Sequence, residues 1–227
     1  YYPENLPKQY QGEEAINMRN QLQEAKWWLN ENYNSLDKEW QEKFEPFYVL
    51  PDDPKSIFNI EDKDLLDELL IIPSVEANSG WKNFQAQISL NPDRRVKIFY
   101  KPENKQKALY VNETMHKAWM MHENLLGLRP EKMVYLYIKP MSNGAGEAEM
   151  KYAGNTDRCV IGLNENIGKE EMQSTAAHEL FHCFQFYIPL KYVKEEDMWL
   201  MEATASWSES YIYPDYNIEW MYLPYQF

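Results

Sequence analysis

Two histidines and a glutamate stand close together in the run AAHELFHCFQ, residues 176–185. His178 and His182 are four residues apart, so on an α-helix their side chains project from one face, one turn apart. Their imidazoles could therefore share one metal ion. Glu179 lies about 100° round the helix from His178, beside such an ion, where a base acting on metal-activated water is needed. A pattern with three fixed positions also arises by chance, so it requires support from elsewhere in the chain.

The residues before the histidines predict the helix that this arrangement needs. Residues 169–173 are good helix formers, and two carboxylates in the first turn suit the helix dipole. Gly168 or Asn166 can begin the helix, and Pro189 marks its latest end.

A third ligand candidate follows the histidines. A catalytic zinc ion takes three protein ligands and keeps one position open. Residues 195–209 have helical spacing and acidic residues at their start, and the pattern stops before Pro214. Glu202 lies there among apolar residues, where a carboxylate is costly unless it is paired or bound to metal. Ser206 and Glu209 share its helical face and could hydrogen-bond a ligand imidazole, although Glu209 could equally be a solvated surface carboxylate.

The pattern HELFH followed by WLMEATA resembles the gluzincin metallopeptidases, the thermolysin-like clan. The resemblance implies that Zn²⁺ is bound by His178, His182 and Glu202, with Glu179 as the general base. It implies a zincin-like fold and a peptide or protein substrate. It also implies that the strand at residues 159–163, just before the histidine helix, is an edge strand to which an extended peptide could pair.

Two features depart from that family. Many gluzincins have an acidic residue four positions after the glutamate ligand, and this chain has Ser206 there. No histidine follows His182, so a tyrosine would have to help stabilise the oxyanion of the transition state. We take Tyr211 as the candidate donor; the other tyrosines available are Tyr187, Tyr192 and Tyr213.

Three interpretations follow from these residues. The first is a zinc-dependent metallopeptidase, either an endopeptidase or an aminopeptidase. The second is a catalytically inactive surface or binding protein that retains a zincin-like fold, which the two departures favour. The third is an α+β interaction domain in which the histidine motif is accidental.

The wider pattern predicts an α+β protein. Helical patterns dominate residues 1–75, which we expect to form an N-terminal helical region. Residues 76–227 are expected to form the zincin-like catalytic domain, a twisted mixed sheet packed with the histidine helix and the glutamate helix. The resemblance implies that its C-terminal subdomain is short or truncated. Strands are expected at 84–90, 96–100, 133–138, 149–153 and 159–163, with the apolar 133–138 central and a helix over 105–128.

Composition narrows the classes of partner. The net charge of −13 and the pI near 4.8 argue against binding to nucleic acid or to anionic membranes. No apolar stretch in the 227 residues is long enough to span a bilayer. We therefore expect a secreted or cell-surface protein, and its oligomeric state stays open.

Two cysteines do not define a disulfide framework. We expect Cys159 and Cys183 to be buried free thiols. A Cys159–Cys183 bridge is the alternative, because in the resembled fold a strand runs beside the histidine helix. His116 and His122 lie six residues apart, a poor spacing for sharing a metal, and are expected at the surface or at a helix cap.

Overall fold

The computed structural model of the protein describes residues 28–29, 32–56, 59, 80–86, 96–141, 144–151, 158–188 and 198–216. The chain divides into two compact units, Tyr1–Ser79 with Tyr152–Asn155, and Gly80–Lys151 with Thr156–Phe227. Most of residues 1–75 lies outside the described ranges, so the helical region expected there stays a prediction.

In the described part of the first unit, helix α1 runs over Lys38–Tyr48. Asp37 begins the helix, and its carboxylate accepts a hydrogen bond from the backbone N–H of Trp40 at 3.1 Å. The ring of Tyr48 stacks on that of Tyr33, with centroids 3.7 Å apart. The Tyr33 hydroxyl donates to the carbonyl of Gln41 at 2.9 Å, which ties the helix to the preceding turn.

The second unit is built on a mixed five-stranded sheet with the strand order β1-β2-β3-β5-β4. The three inner strands are parallel to one another, and the two outer strands are antiparallel to their neighbours. The sheet and the helices packed on it confirm the predicted α+β class. The strands are β1 at Lys82–Gln85, β2 at Val96–Tyr100, β3 at Val134–Lys139, β4 at Gly146–Lys151 and β5 at Arg158–Asn164.

The prediction that the apolar third strand is central is confirmed, but the predicted edge strand is wrong. Strand β5 lies between β3 and β4, and β4 is the last strand of the sheet. β4 begins at Gly146, earlier than the sequence pattern indicated, and pairs along the whole of β5. The interior of β5 is buried on both faces, which accounts for its continuous apolar run.

Two helices cover one face of the sheet: α2 at Lys105–Leu126 and α3 at Lys169–Gln185. Ile98, Leu136 and Ile161 are fully buried beneath them. α2 ends at Gly127, whose φ of 65° is the left-handed conformation that glycine adopts without strain. A fourth helix, α4 at Met198–Ile212, packs on α3. Within the described ranges, no helix is long and apolar enough to cross a membrane.

A disulfide joins Cys159 on β5 to Cys183 on α3, with Cα atoms 5.5 Å apart. The expectation of two free thiols is therefore wrong, and the alternative pairing is the one found. Both residues lie in the core between the sheet and α3, at most 1% exposed. The packing of the helix over β5 brings together two cysteines that are 24 residues apart in the chain.

The two histidines of α2 have different environments. His116 is exposed, as expected. His122 is 1% exposed, so the expectation of a surface position is wrong for it. Its Nε2 lies 3.1 Å from the carbonyl oxygen of Ala177, and its ring packs edge-on against Phe181. α2 packs so closely on α3 that a histidine on this face must be buried.

Candidate metal centre

Helix α3 positions the two histidines of the HELFH pattern. It begins after Gly168, carries Glu170 and Glu171 in its first turn, and runs for 17 residues without proline or glycine. His178 and His182 lie one turn apart on its face towards α4. Their ring centroids are 4.7 Å apart, and their two Nε2 atoms lie 3.0 Å from each other. The helical spacing therefore aims both Nε2 atoms at one point.

Helix α4 brings Glu202 to the same point. One of its carboxylate oxygens lies 3.2 Å from Nε2 of His178, and the other lies 3.4 Å from Nε2 of His182. One ligand atom from each of the three residues falls within 4.8 Å of the others. The Glu202 side chain is 56% exposed, whereas the two histidine side chains are 14% and 9% exposed. The two histidines of this group are therefore buried towards the core, and the side of the group beside Glu202 is open to solvent.

The neighbours of His178 fix its tautomer. Its Nδ1 lies 2.6 Å from a carboxylate oxygen of Glu209, which can only accept, so Nδ1 must carry the hydrogen. The hydroxyl of Ser174 donates to the second oxygen of the same carboxylate. In the neutral imidazole, Nε2 then presents a lone pair to the point shared with His182 and Glu202.

A different network fixes His182 in the same tautomer. Its Nδ1 lies 2.7 Å from the side-chain oxygen of Gln185. The amide nitrogen of Gln185 donates to the carbonyl of Met201 at 3.1 Å and to the hydroxyl of Thr204 at 2.8 Å. Because both donors of that amide are used on α4, its oxygen must face the histidine and accept from Nδ1. The Nε2 lone pair of His182 is therefore left to point at the shared site.

The chemistry of this donor set fits a metal cation. Two imidazole lone pairs and a carboxylate repel one another at these distances unless a positive charge, either a proton on an imidazole or a metal ion, lies between them. Two neutral imidazoles and one carboxylate are a zinc ligand set with room for a fourth ligand.

The pKa values of His178 and Glu202 show that this cluster favours a positive charge. Burial lowers the pKa of His178, but its hydrogen bonds to Glu202 and Glu209 outweigh that effect and raise it to about 10. When Nε2 of His178 and of His182 carries a proton in place of a metal ion, their hydrogen bonds hold the pKa of Glu202 well below its usual range.

Glu179 lies beside this group and is only 6% exposed. Burial raises the pKa of its carboxyl to about 7. The nearby His178 and His182 lower that pKa, while Glu202 and Glu147 raise it. A carboxyl group whose pKa lies near neutrality can both accept and donate a proton at physiological pH.

The two other α4 residues singled out in the sequence have different positions. Glu209 is the orienting carboxylate of His178. Among the described residues, Ser206 makes no hydrogen bond to either imidazole. The seventh residue after Glu202 lies about 20° from it around a helix, whereas the fourth lies about 40° away on the other side. Helical spacing therefore accounts for Glu209, and not Ser206, being the residue of α4 that orients His178.

The structure does not bring Tyr211 to the site. It lies nine residues after Glu202, on the opposite side of α4, and its ring is 55% exposed and stacked on Trp207. The hydroxyl of Tyr213 lies 2.7 Å from that of Thr114 on α2, so it is used in packing α4 on α2. Tyr192 lies outside the described residues.

Sequence reasoning missed two residues that hold this group in place, Ser174 and Gln185. Helical spacing offered a signal for both. Ser174 precedes His178 by four residues, and Gln185 follows His182 by three, so each shares a face with a histidine. Each is also a polar residue that would be buried on a largely apolar helix.

No protein-family model matches this chain, and no curated protein is significantly similar to it. Conclusions about function therefore depend on the residues and geometry of this site.

Proposed function

We propose that the protein is a zinc-dependent metallopeptidase of the gluzincin type, with residues 76–227 as a zincin-like catalytic domain. One observation carries the proposal. The Nε2 atoms of two imidazoles, each ring held by a hydrogen bond at its Nδ1, converge with the Glu202 carboxylate beside the buried Glu179. Such a set is costly in a protein that does not use it, because each charged or polar group has to be desolvated.

The side chains divide the work between binding and proton transfer. His178, His182 and Glu202 would hold the metal. A zinc ion held there would act as a Lewis acid and would lower the pKa of water towards about 7. Glu179 would accept the proton of the attacking water and return it to the leaving amine. Glu209 and Gln185 would keep the two imidazoles in the binding tautomer.

The position of β4 supports a peptide as the substrate. Among the described residues it is the last strand of the sheet, and its first residue, Gly146, lies beside Glu179. An extended peptide that pairs with such an edge is fixed by backbone hydrogen bonds, largely independent of its sequence.

The disulfide supports a secreted or cell-surface location. Disulfides persist in oxidising compartments and are rare in the reducing cytosol. The bond between Cys159 and Cys183 is buried in the core of the second unit, as a structural disulfide would be.

Glu179→Gln tests the proposal. It should keep the fold and the zinc content but lower kcat against peptides about 100- to 10,000-fold, because the amide cannot accept the proton of water. Peptide cleavage is measured by mass spectrometry on a mixed peptide library. Glu170→Gln, an exposed carboxylate on the same helix, is the matched control and should leave kcat unchanged. A Glu179→Gln protein with full activity would refute the proposal.

A second function, a zinc-binding protein without catalytic activity, is favoured by one observation. Neither Tyr211 nor Tyr213 is available to stabilise an oxyanion at this site. This alternative predicts that the wild type binds about one zinc per chain but cleaves no member of the library.

A further inference from the structure

Gly146, the first residue of β4, lies against the side chain of Glu179. A Cβ atom on Gly146 would stand 2.8 Å from Cγ and 2.9 Å from Oε1 of Glu179, and 2.5 Å from Cγ2 of Thr175. Real Cβ atoms essentially never come within 3.0 Å of another heavy atom. Any side chain at position 146 must therefore displace Glu179, Thr175 or the strand itself.

The strand has little freedom to move away. Thr175, Glu179 and Cys183 follow one another at intervals of four on α3, on the face towards the sheet. The disulfide fixes Cys183 to Cys159 on β5, and Cys159 is paired with Met150 on β4. The helix and β4 are thus tied to the same strand, which sets the distance between them. A side chain at position 146 would have to be accommodated mainly by the side chains of α3.

We infer that Gly146 is a positioning residue for the base of the proposed peptidase, and this inference rests on that proposed function. Its lack of a side chain lets the backbone of β4 close over Glu179. The atoms that an added Cβ would meet include a carboxylate oxygen, so the absence of a side chain leaves the space in which the proton-accepting atom lies beside His178 and His182.

The test uses the double variant Gly146→Ala/Thr175→Ser. Serine has no Cγ2 atom, so this change removes the shortest contact and leaves the added Cβ against Glu179. Three properties are measured: bound zinc, kcat and KM on a peptide substrate, and the Glu179 carboxylate position in a crystal structure. We expect unchanged zinc, a displaced carboxylate and a fall in kcat of about 100-fold at similar KM, as a misplacement of about 1 Å produces.

Two control variants separate this role from general effects of the substitutions. Thr175→Ser alone should retain activity. Gly168→Ala introduces the same methyl group on α3 where no atom lies within 4 Å and φ is −72°, so it should change neither activity nor structure. An unmoved carboxylate with kcat within about twofold of the wild type in the double variant would overturn the inference.

Two further outcomes, an inactive wild type and a double variant that does not fold, also test the inference. If the wild type binds zinc but cleaves no peptide, the proposed function fails, while the carboxylate position still tests the contact. If the double variant does not fold, adding Glu179→Ala removes both Cγ and Oε1, the two atoms of Glu179 that the new Cβ would meet. Recovery of folding would support a contact between residue 146 and Glu179, and continued misfolding would refute it.

Discussion

At the scale of single residues, the site depends on which nitrogen of each imidazole carries a hydrogen. Glu209 fixes this for His178, and Gln185 fixes it for His182. The two orienting groups differ in charge. The carboxylate of Glu209 strengthens its imidazole as a ligand by electrostatics, whereas the neutral amide of Gln185 acts by geometry, because its nitrogen is held on α4. Under the proposed function, metal binding by both histidines would therefore depend on residues that do not touch the metal.

Gln185→Met should weaken zinc binding about 10- to 100-fold, because His182 loses the acceptor that keeps its hydrogen on Nδ1. Zinc affinity is measured by competition with a chromogenic chelator. Glu202→Ala, which removes a ligand, should lose nearly all bound zinc after dialysis. Glu170→Ala, at an exposed position on α3, should bind zinc as the wild type does. Equal affinity in Gln185→Met and the wild type would show that the amide does not orient His182.

At the scale of elements, α3 is the part of the unit that other elements hold from several sides. α2 packs along it, α4 brings Glu202 to its two histidines, and β4 lies against Glu179. The disulfide fixes it covalently to β5, one residue after His182. A helix restrained in this way keeps its two histidines in place without the metal, so little order has to be gained when a cation binds.

Removing the disulfide should lower stability without destroying the site. For a closed loop set by a separation of 24 residues, the chain-entropy model gives about 3 kcal/mol of stabilisation. Cys159→Ala/Cys183→Ala should therefore lower Tm by roughly 6–12 °C, measured by calorimetry on the zinc-loaded protein. Zinc content should stay near one per chain, since neither sulfur is a ligand. An unchanged Tm would mean that the bond adds no net stability.

The predicted helices and strands were confirmed where the apolar residues of a segment recur with a clear helical or strand period. The strand at Val96–Tyr100, the long helix α2 and the central β3 were all expected from alternation or helical spacing. The edge position of β5 was not. Which strand lies outermost depends on whether another segment pairs beside it, and the short run at Gly146–Lys151 is too polar to show that from its own pattern.

At the scale of the whole molecule, the protonation of His122 makes the packing of α2 on α3, and with it the stability of the fold, depend on pH. It is buried next to Phe181 and Phe184, with its Nε2 facing the carbonyl of Ala177. Burial lowers its pKa from 6.5 to about 4, although the hydrogen bond to Ala177 opposes the shift. The residue is therefore neutral in the folded protein at pH 7.

The direction of the resulting pH dependence follows from that depressed pKa. Between pH 6.5 and about 4, the unfolded chain binds a proton at His122 that the folded protein does not. Its stabilising contribution is complete above pH 6.5 and is lost as pH falls towards 4. The loss amounts to about 3 kcal/mol.

His122→Gln should flatten this part of the stability curve, because glutamine does not titrate and can still donate to Ala177. Urea unfolding is followed by tryptophan fluorescence at pH 7 and pH 4.5, with chelator present in both. The difference in unfolding free energy between the two pH values should be smaller in the variant than in the wild type. His116→Gln, at an exposed position, should behave as the wild type does. Identical pH dependence in all three proteins would exclude His122 as the source.

The sequence by itself determined those features that depend only on the spacing of residues within one helix or strand. His178, Glu179 and His182 have their mutual arrangement because one helix turn fixes it, and the α+β class follows from the periods of successive segments. Only the tertiary structure decided how Glu202 reaches the histidines, that Gln185 is anchored on α4, that Gly146 lies over Glu179, and that the two cysteines meet. Contacts of this kind join segments far apart in the chain, and packing of side chains between elements sets them rather than any local repeat.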